Sequence, residues 1–127
     1  MAMRSSQEIK LHDTIIATLK NLYTNRGAVS VATINDKIPP AFDGVGVDLI
    51  IKSQFKMIFK VETESTVTEG SAIHWKQISE KAGLFYLLVP EPLKTEASAI
   101  IKQLAIPKII VSTYRIVDNK LRFGNLP

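Results

Sequence analysis

Two apolar segments, GVGVDLII at residues 44–51 and FKMIFKVETEST at residues 55–66, constrain the fold most, because their hydrophobic residues match in one hairpin register. With strands at 47–51 and 55–64 around a tight loop centred on Gln54, Val47 faces Val61, Leu49 faces Phe59 and Ile51 faces Met57. That face is wholly apolar, and a slip of one residue would break it. The opposite face then carries Asp48, Ile50, Ile58, Lys60, Glu62 and Glu64. Carboxylates converging in this way raise one another's pKa unless a cation lies among them. A hard divalent metal with oxygen ligands is one such cation. Lys60, directly across from Asp48, is the other.

The chain has 127 residues, enough for one domain with a proper core and too few for two of ordinary size, so residues 1–127 are expected to form a single domain. With 46% hydrophobic and 22% charged residues it has the composition of a folded protein. No apolar run approaches the roughly 20 residues of a membrane span, and the amino terminus lacks a signal pattern. The expectation is a soluble, cytoplasmic protein with no membrane partner. Cysteine is absent, which excludes disulfides, thiolate zinc sites and thiol nucleophiles, so any metal must use oxygen or histidine. The net charge of +4, from 16 Lys and Arg against 12 Asp and Glu, favours an anionic partner. The basic residues are scattered along the chain, so only folding could gather them into a patch.

Apolar residues from Ile9 to Tyr23 recur at spacings of three and four after Ser5 and Ser6, which predicts an amphipathic helix ended by Asn25, Arg26 and Gly27. A short strand at 28–34 and an irregular loop through Pro39 and Pro40 lead to the hairpin. A helix is predicted over 71–81, a buried strand over 84–89, a helix over 93–104, a buried strand over 109–116 and a closing segment over 121–123. The order α-β-β-β-α-β-α-β requires antiparallel pairing in the front half and parallel pairing behind, hence a mixed sheet flanked by helices in an α/β fold.

This order, with GVDLII and FKVETES placed as they are, resembles the PD-(D/E)xK nuclease superfamily of restriction-endonuclease-like fold, and within it the small Holliday junction resolvases. Asp48 matches the family's metal-binding Asp and Glu62 its first motif acid. Glu8 lies where many members place a further acid. The resemblance implies a Mg²⁺- or Mn²⁺-dependent DNA endonuclease, structure-selective for branched DNA and acting as a homodimer, with metal held by Asp48, Glu62 and Glu8. The chain departs from the family at Glu64, where the motif has Lys, and at Val47, where it has Pro. Lys60, or Lys76 on the following helix, could replace the missing lysine beside Asp48, Glu62 and Glu64 in catalysis. Lys76, Gln77 and Trp75 would then face nucleic acid. The alternative is a non-catalytic member of the fold that binds nucleic acid or a protein.

Plainer readings exist for the same residues. The three acids could be a relic site or surface carboxylates, Lys60 a salt-bridge partner, and Trp75 a half-buried side chain packed on the sheet. His12 and His74 stand apart in sequence, without the spacing of a zinc site. No phosphate loop of the GxxxxGK type occurs, and GVG at residues 44–46 is too short to carry that meaning.

Overall fold

Helix α1 spans Ser6–Asn25 because Ser5 caps it reciprocally with Glu8: the Ser5 hydroxyl accepts the Glu8 N–H, and the Glu8 carboxylate accepts the Ser5 N–H. Its buried stripe is His12, Ile15, Ile16, Leu19 and Tyr23, and it ends where Gly27 adopts a φ of +87°, a left-handed conformation that glycine takes without strain. The computed structural model describes residues 4–42 and 44–127. The strands are β1 (Ser30–Thr33), β2 (Ala41–Phe42), β3 (Val45–Gly46), β4 (Leu49–Lys52), β5 (Lys56–Val61), β6 (Phe85–Pro90), β7 (Ile109–Val117) and β8 (Lys120–Gly124). Helix α2 (Glu69–Ser79) lies between β5 and β6, and α3 (Lys94–Gln103) between β6 and β7. Among the described residues no helix is long and apolar enough to cross a membrane.

The main sheet has the order β1-β4-β5-β6-β7-β8. Pairing is antiparallel from β1 to β5, parallel from β5 to β7 and antiparallel again between β7 and β8. The expected mixed sheet with helices is therefore present. One core joins Ile15, Ile16 and Leu19 of α1 to Leu49, Ile51, Phe59, Val61 and Leu88 of the sheet. The other joins Ala72, Trp75 and Ile78 of α2 and Ala97 of α3 to Ile50, Ile58, Phe85, Leu87 and Val89. Helices thus cover both faces, which explains the unbroken burial of residues 85–89 in β6. Each fully buried large apolar side chain contributes about 1.5–3 kcal/mol.

The hairpin register agrees with the hydrophobic pattern at Leu49↔Phe59 and Ile51↔Met57, but Val47 departs from it. Val47 packs with Ile50, Ile58 and Trp75, on the side opposite Leu49 and Val61. The cause is Asp48. Its carboxylate accepts the Val61 N–H at 2.7 Å, a position that a backbone carbonyl would hold if the ladder continued. Regular alternation therefore starts only at Leu49. The segment expected to be an irregular loop contains the small β2–β3 ladder, Ala41↔Gly46 and Phe42↔Val45.

Candidate functional site

Polar side chains gather at one end of the sheet, where parallel β5 and β6 finish, β4 begins, and the first turns of α1 and α2 arrive. The carboxyl ends of parallel strands are where α/β sheets place their ligand crevices. Asp48 lies there, fully buried, as the last residue before β4. Besides the Val61 N–H, its Oδ2 has Lys60 Nζ at 3.7 Å. His12 Nε2 approaches Oδ1 to 3.2 Å from the α1 side, yet neither atom has a hydrogen-bond partner among the described residues. Burial alone would raise the Asp48 carboxyl, but the His12 ring, the Lys60 ammonium and the Val61 N–H outweigh it and hold it below its ordinary value of 3.8.

Glu62 follows β5 and stays tied to β6 through its N–H on Leu88 O at 2.9 Å. Its side chain turns toward α2, where the Trp75 indole N–H donates to Oε2 at 2.6 Å. Oε1 accepts from Arg4 Nη2 at 3.0 Å and from the Thr66 hydroxyl at 3.1 Å. Burial dominates here, so Glu62 is raised above its ordinary 4.5 despite the opposing pull of Lys60, Trp75 and Arg4. The two buried carboxyls are thus pushed in opposite directions. Tyr114 of β7 donates its hydroxyl to Glu62 O at 2.9 Å, and burial raises its own pKa.

Glu8 belongs to the same end but points at other partners. Its Oε2 accepts the Thr63 hydroxyl at 2.7 Å, the Ser65 hydroxyl at 2.7 Å and the Ser65 N–H at 3.0 Å. These hydrogen bonds, with the Ser65 hydroxyl foremost, lower its pKa from 4.5 to about 2. A carboxyl depressed by folding contributes stability that is present above its unfolded pKa and lost as pH falls through the folded one. Urea unfolding should therefore show stability falling between pH 4.5 and 2 in part through Glu8, and Glu8→Gln should flatten the profile in that window. An unchanged profile would mean that the Glu8 hydrogen bonds do not persist in solution.

Two adjoining clefts open beside these groups. One, of about 380 Å³, is lined by Arg4, Lys60, Glu62, Thr66, Thr68, Gly70, Ser71 and His74. The other, of about 370 Å³, is lined by Ile34, Gly44, Val45, Gly46, Lys60, His74 and Gln77. Lys60 and His74 border both. The first turn of α2 forms part of the wall, with Thr68 capping the helix through the Ser71 N–H at 3.2 Å. A helix amino terminus of this kind favours negative charge nearby.

The other expected site residues are placed differently. Glu64 is exposed and opens a 3-10 turn, Glu64–Thr66, so it does not share a strand face with Asp48 and Glu62. The turn forms because the Thr66 hydroxyl accepts the Thr63 N–H at 2.9 Å, drawing the chain off the strand path. Trp75 is fully buried and hydrogen-bonded to Glu62, so it presents no ring face on which a base could stack. Lys76 is exposed on α2 and lines neither cleft, whereas Gln77 borders the second. Arg4, His12, Thr66, Ser71 and Tyr114 were not candidates from sequence. Only His12 left a signal, since it continues the apolar stripe of α1.

A divalent cation at Asp48 and Glu62 needs free oxygens. Both Glu62 oxygens accept protein donors, Glu8 Oε2 accepts three hydrogen bonds, and Asp48 Oδ2 has Val61 N–H and Lys60. Among the described residues no group of three or more His, Cys, Asp or Glu is placed to hold a metal ion. As arranged, the side chains do not fit the six or more oxygen ligands of Mg²⁺ or Ca²⁺. The chain matches no protein-family model and no curated protein.

Proposed function

We propose that the chain engages the phosphodiester backbone of nucleic acid at the two clefts, as a DNA-binding module built on a restriction-endonuclease-like arrangement. One observation carries this reading: Lys60 and His74 border both clefts, while the adjoining carboxylate oxygens are turned to donors inside the protein. The wall of the first cleft carries the Lys60 ammonium and the Ser71 hydroxyl, beside the Arg4 guanidinium that holds Glu62 Oε1 and Val61 O. The net charge of +4 adds long-range attraction for a polyanion. Contacts of this sort position a protein on a backbone without reading sequence.

Fluorescence anisotropy of a labelled duplex in EDTA tests the reading. Affinity should fall with salt at a log-log slope of about −0.9 per phosphate contact, and Lys60→Gln and His74→Gln should each weaken binding. Salt-insensitive binding would favour a protein partner instead, and salt-dependent binding indifferent to both substitutions would place the DNA away from the clefts.

A metal-dependent endonuclease is the second reading, and it requires the donors now on Glu62 and Glu8 to give up their places to the ion. What favours it is Asp48 Oδ1, a buried carboxylate oxygen without a hydrogen-bond partner among the described residues. Cleavage of branched or linear duplex in Mg²⁺ or Mn²⁺ that stops in EDTA would establish it.

A further inference from the structure

We infer that a pair of arginines on the β7–β8 hairpin, Arg115 and Arg122, forms a second contact for the nucleic-acid backbone, extending the binding path from the clefts to the edge of the sheet. The inference rests on reading the clefts as a phosphate site. In the register of the hairpin Arg115 lies directly across from Arg122, with Val117↔Lys120 as the next pair on the same face. Directly opposed side chains have Cβ atoms about 4.5–5.5 Å apart, and like charges at that separation destabilise a sheet. Arg115 has Glu91 Oε2 at 3.5 Å from its Nε, but both side chains are more than half exposed, at 58% and 51%, so the pair is weakly neutralising. Arg122 is exposed and has no ion-pair partner among the described residues. An exposed, unfavourable charge pair gains a purpose if a polyanion lies across it.

Topology places this pair at the same end of the sheet as the clefts. β7 runs parallel to β6, its last pairing with β6 is Pro90↔Tyr114, and Arg115 extends one residue further. Tyr114, the neighbour of Arg115, donates its hydroxyl to Glu62 O at 2.9 Å and so fixes the two regions to each other. The face agrees as well. Tyr114, Leu121 and Phe123 belong to the α1-side core, so the alternating residues Arg115, Lys120 and Arg122 fall on the side of α2 and the clefts. Adjacent strands are about 4.8 Å apart, so β7 and β8 lie roughly 10 and 14 Å from β5. A duplex strand carries one phosphate per about 3.4 Å of axis, so this span corresponds to about three or four phosphates.

The test uses Arg115→Gln, Arg122→Gln and the double variant in the full chain, with Lys60→Gln beside them, all measured by anisotropy on the same labelled duplex across a salt series. The double variant should bind more weakly, with a log-log slope shallower by about 1.8, since each arginine that no longer neutralises a phosphate removes about 0.9. Without DNA, Arg122→Gln should melt higher than the parent at low salt, and this gain should vanish at high salt as the repulsion is screened. A parental slope in the double variant, with Lys60→Gln still weakening binding, would overturn this inference and leave the cleft reading standing. Weakening by the arginine variants alone, with Lys60→Gln at parental affinity, would overturn the continuous path, because the clefts from which it extends would not touch the DNA. A parental slope accompanied by self-association of the double variant would overturn it in favour of charges that guard an edge strand. No binding by the parent protein would overturn both.

Discussion

Asp48→Ala should lower folding stability by about 1–3 kcal/mol, the cost of leaving a buried donor without its acceptor. The substitution takes the acceptor from the Val61 N–H at 2.7 Å and leaves Lys60 Nζ, now 3.7 Å from Asp48, without its carboxylate. The His12 ring loses its nearest acid as well. Asp48→Asn keeps an oxygen for the Val61 N–H and should cost less. Lys60→Met in the Asp48→Ala background should recover part of the loss, because it removes the uncompensated charge. Urea unfolding of the four proteins checks all of this. A loss below about 1 kcal/mol, the range of an exposed pair, would mean that Asp48 is solvated and that the start of β4 opens to water.

Trp75→Ala should also have a large cost, about 3–5 kcal/mol, because it removes the largest side chain of the α2-side core. Trp75→Phe separates the two parts of its role. Phenylalanine fills most of the space but has no indole N–H, so Glu62 Oε2 loses the donor now at 2.6 Å. A cost of about 1–3 kcal/mol is expected from the unsatisfied buried acceptor. DNA affinity should hardly change in Trp75→Phe, since the ring is buried and lines neither cleft. A marked fall in affinity with intact stability would restore Trp75 as a base-stacking residue.

Much of this architecture is written in local patterns. The capping box at Ser5 and Glu8, the apolar stripe of α1 and the matched residues of β4 and β5 all follow periodicity or capping chemistry. The burial of Trp75 follows from Ala72 and Ile78, three residues to either side on α2. Other features depend on a side chain replacing a backbone partner, which periodicity does not register. The Asp48 carboxylate takes over a ladder hydrogen bond and so sends Val47 to the opposite core. The Thr66 hydroxyl bends the chain at Thr63, so the alternation that would have carried Glu64 onto the site face stops. Arg4 reaches Glu62 across 58 positions in sequence, and Tyr114 reaches it across 52, separations at which no local pattern speaks. The acids were legible as a convergent group, but the donors that occupy them were not.

The most direct test of backbone binding at the clefts is an amide ¹H–¹⁵N titration with a short DNA duplex in EDTA. The largest shifts should fall on Lys60, Gly70, Ser71 and His74, which line the clefts, and residues 53–55 at the far tip of the β4–β5 hairpin should stay unmoved. Shifts concentrated at that tip, with the cleft amides unchanged, would contradict the account.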